Sequence, residues 1–388
     1  MIDYNCRVAV VTQAPFPEGN VSTMRYTSYL KSLSKSGVFT YVLVYCPTRM
    51  AAHIKERSGV HDGIKYQYVT DITWKNYNIY NKIRYLIKGL FKSISYLNEN
   101  KISTVILYGD NILVVNLFYW MYSKITGKRF IGDRSELPTV QERQSKLRMW
   151  VYGIKQRMFD GMIIMTKQLM SFYSQYSTDS EFLFFLPMTI DPQRFQNAKR
   201  GKQQERYIAI VFGTHNRDGL EESLKSYDMY CQKGGKYDLW LIGDYDKMPN
   251  KETLYQIIQS SDYSNKIKIL GRQANQALPS ILVGASILMT TPNYYVSGGF
   301  PTKLGEYMLS GVPIVATKTG ELLDYITPSE DMLMSEPGDI NNISDCLLRL
   351  EQDSSLAKVL SANAKRKAEK VFCADSYLKA FQAFLMKK

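Results

Sequence analysis

The sequence predicts an α/β protein made of two doubly wound, parallel-sheet domains. Three observations lead there. At 388 residues, with 45% hydrophobic and 22% charged residues, the chain is globular in composition and too long for one ordinary core. Short β-rich runs alternate with helix-period segments, once in each half. A polar run over 198–206, Ala-Lys-Arg-Gly-Lys-Gln-Gln-Glu-Arg, separates the two sets and reads as an interdomain linker.

The first set opens with Arg7-Val8-Ala9-Val10-Val11-Thr12, a buried strand, then a Pro/Gly loop and an amphipathic segment over 23–36. Further strands are expected over 39–46, 104–108, 128–133, 162–165 and 182–186, with helical periodicity between most of them. Such alternation argues for a parallel sheet covered on both faces. The second set places strands over 207–212, 239–242, 267–270, 287–290 and 314–316. The last ~50 residues are helical in pattern and end in a segment over 376–386 with Leu378, Phe381, Phe384 and Leu385 apolar. The expected domains are 1–195 and 196–371, with a terminal helix over 372–388 packing back on the first. Ligands of such sheets lie beyond the carboxyl ends of the strands, so the strand-to-helix loops are where chemistry is sought.

Composition narrows the function classes. The N-terminus has no charged-then-apolar signal pattern, which argues against secretion. The most apolar stretch, 112–122, falls short of the ~20 residues of a membrane span. Five scattered cysteines (Cys6, Cys46, Cys231, Cys346, Cys373) form no C-x-x-C pair, and the three histidines offer no metal-ligand spacing. Free thiols in a reducing cytoplasm and no metal are the expectation. A net charge of +13 and a pI near 9.2 call for a negative partner: nucleic acid, an anionic membrane or a phosphorylated small molecule. No helix-turn-helix, zinc or aromatic RNA motif supports the first of these.

The most informative segment runs from Asn293 to Met308. A strand ends near Pro292, Gly298 and Gly299 form a loop, and a helix starts at Pro301 or Thr302. Pro suits a first helical turn, and Gly299 lets backbone amides approach a ligand. Exposed amides and the helix dipole favour phosphate there, and Lys303 adds a full charge. Glu306 lies one turn further on, where a carboxylate can accept hydrogen bonds from ribose hydroxyls. The alternative is an ordinary βα turn with a solvated Lys and Glu.

The stretch from Gly299-Phe300-Pro301-Thr302-Lys303-Leu304-Gly305-Glu306 to Thr317 resembles the donor-site signature of family 4 glycosyltransferases of the GT-B fold. Three other stretches match that family in order. Phe159-Asp160-Gly161-Met162 opens a region similar to the last strand of its N-terminal domain. Leu186-Pro187-Met188-Thr189-Ile190-Asp191-Pro192-Gln193-Arg194-Phe195 resembles its interdomain segment, and Val211-Phe212-Gly213-Thr214-His215-Asn216-Arg217-Asp218-Gly219 the first loop of its second domain. The resemblance runs over most of the chain and is densest after residue 159. It implies two Rossmann-like domains facing across a cleft, a UDP- or GDP-linked sugar donor, and transfer with retention to a glycan or lipid-linked hydroxyl in bacterial surface polysaccharide synthesis. No cofactor beyond the donor and no metal is implied.

Residue by residue, the resemblance implies donor binding by Gly271, Arg272, Gly299, Phe300, Pro301, Thr302 and Glu306. It makes Arg217 and Lys303 the cations facing the departing diphosphate. The loop Pro15-Phe16-Pro17-Glu18-Gly19-Asn20 would pass beneath that diphosphate, with Gly19 against it. Asp133-Arg134-Ser135-Glu136 resembles an acidic acceptor loop, in which Glu136 or Asp133 could orient the acceptor hydroxyl or cap the next helix. Two departures stand out: Gly298 occupies the place of the first of two signature glutamates, and Asp218 stands where a Lys is common. The first makes a non-catalytic nucleotide-binding protein of the same fold the main rival, and a basic nucleic-acid-binding protein is the other.

Two segments concentrate the positive charge. Over 82–97, apolar Ile83, Leu86, Ile87, Leu90, Ile94 and Leu97 are flanked by Lys82, Arg84, Lys88 and Lys92. Over 143–158, Leu147, Trp150, Val151, Ile154 and Met158 share a face, with Arg143, Lys146, Arg148, Lys155 and Arg157 around it. Helices of this kind can lie on an anionic membrane surface, which would place the protein in the cytoplasm at the inner face of the cell membrane. The alternative, and the better reading for either helix taken singly, is packing on the sheet with the lysines solvated.

Overall fold

The computed structural model describes residues 6–19, 21–46, 54–74, 79–138, 145–199, 205–213, 218–294, 300 and 302–387. The chain divides into two compact units, Met1–Ile190 with Ala374–Lys388, and Asp191–Cys373. The division falls ahead of the polar run over 198–206. It does so because the 3-10 turn Pro192–Phe195 is tied by Arg194 to Glu306 and to the Asn275 carbonyl of the second unit.

The first unit holds β1 (Arg7–Thr12), α1 (Val21–Lys35), β2 (Phe39–Val44), β3 (Ser58–His61), β4 (Ile64–Tyr68), α2 (Ile79–Glu99), β5 (Thr104–Tyr108), α3 (Leu113–Thr126), β6 (Arg129–Arg134), α4 (Lys146–Arg157), β7 (Gly161–Ile164), α5 (Lys167–Tyr173) and β8 (Leu183–Phe185). The sheet order is β3-β4-β2-β1-β5-β6-β7-β8. Every neighbouring pair is parallel except β3–β4 at the edge, a hairpin absent from the sequence reading. Its turn is Asp62-Gly63, with φ of 51° and 79°. Positive φ at both central residues is what a tight hairpin turn demands, and Gly meets that demand without strain. β4 alternates as a half-covered strand should, burying Ile64, Tyr66 and Tyr68.

The right-handed crossover rule puts α2, α3, α4 and α5 on one face of this sheet and α1 on the other. On the α1 face, Val8, Val10, Ile106, Ile131 and Ile163 pack with Tyr26, Tyr29, Leu30 and Leu33.

The second unit holds β9 (Tyr207–Val211), α6 (Leu220–Gln232), β10 (Asp238–Ile242), α7 (Lys251–Ser260), β11 (Ile267–Gly271), α8 (Leu278–Gly284), β12 (Ile287–Thr290), α9 (Thr302–Ser310), β13 (Ile314–Thr317), β14 (Leu333–Ser335), α10 (Ile340–Gln352) and α11 (Ser354–Val371). Its sheet is all parallel, in the order β11-β10-β9-β12-β13-β14. Ile208, Ile210, Leu239, Leu241, Met289 and Val315 meet Leu224 and Tyr227 of α6, Ile343 and Leu347 of α10 and Leu360 of α11. β14 was not expected, since three residues carry too little pattern to be read.

The chain then returns to the first unit. Helix α12 (Leu378–Met386) sets Phe381, Phe384 and Leu385 into the α1-side core. The rings of Phe381 and Phe384 stack on Phe184 at 5.2 and 5.1 Å. Thr104 donates to the Leu385 carbonyl at 3.1 Å.

The two basic helices bury only part of their apolar residues. In α2, Leu90 and Leu97 are buried while Ile83 and Ile87 face solvent. In α4, the buried residues are Tyr152, Gly153, Lys155 and Gln156, and Leu147 and Trp150 are exposed. Lys155 is therefore no surface cation: its ammonium donates to Asp110 at 2.6 Å and to the Asn111 carbonyl at 2.9 Å.

Candidate functional site

In the second unit the strand order reverses between β9 and β12, since β10 and β11 lie on one side and β13 and β14 on the other. Loops leaving neighbouring strands at such a point diverge and open a crevice beyond the carboxyl edge. The β9–β12 ladder pairs Ile208 with Ile287 and Ala209 with Leu288. Beyond it, the Val211 N–H donates to the Tyr307 hydroxyl at 2.7 Å, which donates to the Met289 carbonyl at 3.4 Å. Tyr307 of α9 thus bridges the two strands where they part. Burial pushes its pKa well up, so the hydroxyl keeps the proton it donates.

The loops after β9 and β12 are fastened to each other. Gly219 has φ of +67°, and a Cβ there would sit 1.7 Å from the Thr291 carbonyl oxygen, so only glycine allows the approach. The Thr291 hydroxyl donates to the Gly219 carbonyl at 3.1 Å and lies 2.5 Å from the Ser223 hydroxyl. Asn293 donates to Glu222 at 2.8 Å. Lys303, in the first turn of α9, donates to Asp218 at 2.8 Å, and Asp218 also accepts the Gly213 N–H. The aspartate that replaces the family's common lysine therefore holds Lys303 in place.

Glu306 lies one turn into α9 and is 6% exposed. The Arg194 guanidinium pairs with it, and Arg194 also donates to the Asn275 carbonyl at 3.0 Å. Burial raises the Glu306 pKa above the ordinary carboxylate value, while Arg194 and Lys303 pull it back down. Among the described residues, Lys303, Glu306, Asp218 and Arg194 form one charged group at the start of α9. The sequence reading found Lys303 and Glu306. It missed Arg194 and Tyr307, though both lie in stretches quoted for the family resemblance.

The other expected donor residues are distributed as follows. Gly271 ends β11 with φ of +67°, and its carbonyl accepts the Gly243 N–H at 3.1 Å, which brings the loops after β10 and β11 together. Arg272 follows it, exposed. Phe300 is buried, with its ring 5.2 Å from that of Tyr325 and 5.5 Å from that of Phe372. Its side chain anchors the start of α9 in the core. Thr302 is the first residue of α9. Arg217, Gly299 and Pro301 lie outside the described residues.

In the first unit, the loop after β1 folds onto α1. Thr23 donates to the Pro15 carbonyl at 2.8 Å, and a Cβ on Gly19 would lie 2.1 Å from the Thr23 hydroxyl. The Tyr68 hydroxyl clamps the loop by accepting the Phe16 N–H at 3.0 Å and donating to the Phe16 carbonyl at 3.1 Å. After β6, Glu136 is exposed. Asp133 is fully buried, 3.4 Å from Arg25, and accepts the Tyr29 hydroxyl at 3.0 Å. Arg25 reaches on to the Pro187 and Leu186 carbonyls at 2.8 and 3.0 Å. Asp133 is thus a structural tie between β6, α1 and the end of the unit, which leaves Glu136 as the open carboxylate of this loop.

The strand order is that of a doubly wound sheet with its switch point between β9 and β12. Residues 192–367 match the family described as glycosyl transferases group 1. That match covers nearly all of the second unit. The 2-deoxystreptamine N-acetyl-D-glucosaminyltransferase of Niallia circulans is 25% identical over 117 residues, 30% of this chain and 29% of that protein. The amylovoran biosynthesis glycosyltransferase of Erwinia amylovora is 25% identical over 188 residues, 47% of this chain and 46% of that protein. The aligned part of the chain thus spans less than half the length of these curated relatives. Both relatives carry glycosyltransferase names. Among solved structures, the Anabaena HepE complex with UDP and glucose has a TM-score of 0.73 at 14% identity, covering 99% of this chain and 100% of that one. That likeness shows the fold, which is GT-B.

Proposed function

We propose that the chain is a retaining glycosyltransferase that moves a sugar from a UDP- or GDP-linked donor to a hydroxyl of a glycan or lipid-linked acceptor. The observation that carries this reading is the charged group at the start of α9, on the switch-point edge of the group 1 domain. Lys303, held by Asp218, faces the departing diphosphate together with Arg217, and no metal is required of this reading. Glu306, held by Arg194, accepts hydrogen bonds from the donor ribose. UDP and glucose in the Anabaena structure support a UDP-sugar, and the amylovoran relative supports a role in bacterial polysaccharide synthesis. Retention comes from the resemblance to family 4. Glu136 is the carboxylate assigned to the acceptor hydroxyl. A lipid-linked acceptor would place the enzyme at the cytoplasmic membrane surface.

The test has two stages. Thermal unfolding against a panel of UDP- and GDP-sugars should show one class raising the melting temperature, because a ligand of the native state stabilises it. With that donor, Lys303→Ala and Arg217→Ala should each lower turnover by ~100-fold or more, the scale of removing one donor from a site of developing charge. Parent-like turnover in both variants would remove the leaving-group assignment. No stabilisation by any nucleotide sugar would remove the donor site itself.

A further inference from the structure

Three consecutive helices of the first unit present apolar stripes outward. On α2, Tyr80, Ile83, Ile87 and Phe91 are exposed, and steps of three, four and four residues keep them on one helical face. On α3, Val114, Leu117, Met121 and Ile125 repeat that spacing and are exposed too, Ile125 at 80%. On α4, Leu147 and Trp150 are 66% and 61% exposed. The inner faces of these helices are occupied separately. Ser93 of α2 lies 2.8 Å from the Tyr119 hydroxyl of α3, and Tyr122 of α3 donates to Asn98 of α2 at 2.6 Å. The Phe91 and Phe118 rings meet edge to face at 5.6 Å, so the α2 and α3 stripes adjoin. α3 packs against α4 on its other side. Isolated exposed apolar residues are ordinary, but adjoining stripes on neighbouring helices mark an interaction surface.

Charge selects the partner. The three helices carry nine Lys and Arg and one acidic residue, Glu99. Of the basic residues, Lys82, Arg84, Lys146 and Arg148 are exposed beside the stripes. The asymmetry extends to the whole unit: it holds 27 Lys and Arg against 14 Asp and Glu, while Asp191–Cys373 holds 22 of each. The entire net charge of +13 therefore belongs to the unit that bears the stripes. A second copy of the chain would bring two such basic faces together, which is repulsive. An anionic lipid surface matches both the charge and the apolar stripes, since basic amphipathic helices lie at the headgroup boundary with their apolar side inward. Among the described residues no helix is long and apolar enough to cross a membrane.

We propose that the outer surface of α2, α3 and α4 is a bilayer-docking face, with Phe91, Leu117, Met121, Leu147 and Trp150 entering the boundary between headgroups and acyl chains. The inference deepens the lipid-linked reading of the acceptor and rests on it only for biological sense, since the face itself is independent of sugar transfer. Docking here combines apolar burial with charge, so salt should weaken it without abolishing it; only the charge component is screened.

Flotation with vesicles of phosphatidylglycerol and phosphatidylcholine tests this on the whole chain. The protein should bind, and Phe91→Ser, Leu117→Ser, Met121→Ser and Trp150→Ser combined should weaken binding at least tenfold at both low and high salt. Lys82→Gln, Arg84→Gln and Arg148→Gln combined should weaken it mainly at low salt. All seven side chains are exposed, so melting temperatures should stay at the parent value. Brominated lipid should quench tryptophan fluorescence of the unmodified protein, and Trp150→Phe should reduce that quenching, a readout that needs no apolar-to-polar change. Binding that is indifferent to the apolar substitutions overturns the docking face but leaves membrane contact standing. An absence of binding to anionic vesicles overturns both. A dimer in solution that the serine substitutions dissociate assigns the face to a second copy and overturns the lipid assignment. Sugar transfer to a soluble acceptor is measured alongside, and its loss would count against the enzymatic reading alone.

Discussion

Glu306 is a carboxylate held almost out of water, and its environment divides into opposing contributions. Burial favours the protonated form, whereas the Arg194 guanidinium and the Lys303 ammonium favour the charged one. The net effect is a pKa above the ordinary carboxylate value, so the ionised form, which under the proposed function accepts ribose hydroxyls, is lost at a higher pH than usual. Nucleotide affinity should therefore fall as pH is lowered through that raised value, and Arg194→Ala should move the fall to still higher pH. Glu306→Ala should weaken nucleotide binding by about 1–3 kcal/mol at neutral pH, the range for hydrogen bonds to a charged group. Titration calorimetry between neutral and mildly acidic pH checks all three. An unchanged affinity in the folded alanine variant would take Glu306 out of the site.

At the scale of elements, the ends of β9 and β12 are bridged by the Tyr307 hydroxyl of a third element. Tyr307→Phe would leave the Val211 N–H without its acceptor and cost about 1–3 kcal/mol, read as a lower denaturation midpoint of the second unit. A midpoint equal to that of the parent would mean that another acceptor serves Val211. Such a bridge is invisible in a sequence, where Tyr307 reads only as an apolar position of a helix. Strands fared better: β1, β5 and β12 are short apolar runs between polar breaks, and the structure begins and ends them where those runs do. The β3–β4 hairpin has its sequence signal in Asp62-Gly63 and the alternation after it. Helical periodicity identified α2 and α4 but not which side meets the sheet. The apolar arc of α2 is wider than the contact it makes, and α4 turns Lys155 inward because Asp110 receives it. For the site, Lys303 and Glu306 were legible because a Pro-Thr-Lys start follows a glycine loop. Arg194 was not, because its partner is 112 residues away in sequence.

Across the whole molecule, the first unit is built from the two ends of the described chain, and the second is inserted between Ile190 and Ala374. The return segment is integral to the first core: Phe381 and Leu385 are nearly fully buried, and Ser32 donates to Asp375 at 2.5 Å. Phe381→Ala should destabilise the first unit by about 3–5 kcal/mol, the cost of a large cavity in a packed core. Calorimetry should show the transition that nucleotide raises left in place and the other one lowered; a single lowered transition would mean that the two units unfold together. The same connectivity sets an order of assembly during synthesis. Domains fold as units while the chain emerges from the ribosome, and the inserted unit has all its strands once residue 335 is made. The earlier-made unit must wait, its α1-side core open at Tyr29 and Phe184, until α12 has been made. The unit begun first is thus completed only after the inserted one, and a released chain truncated after Cys373 should carry a protease-resistant second unit beside a protease-sensitive first one.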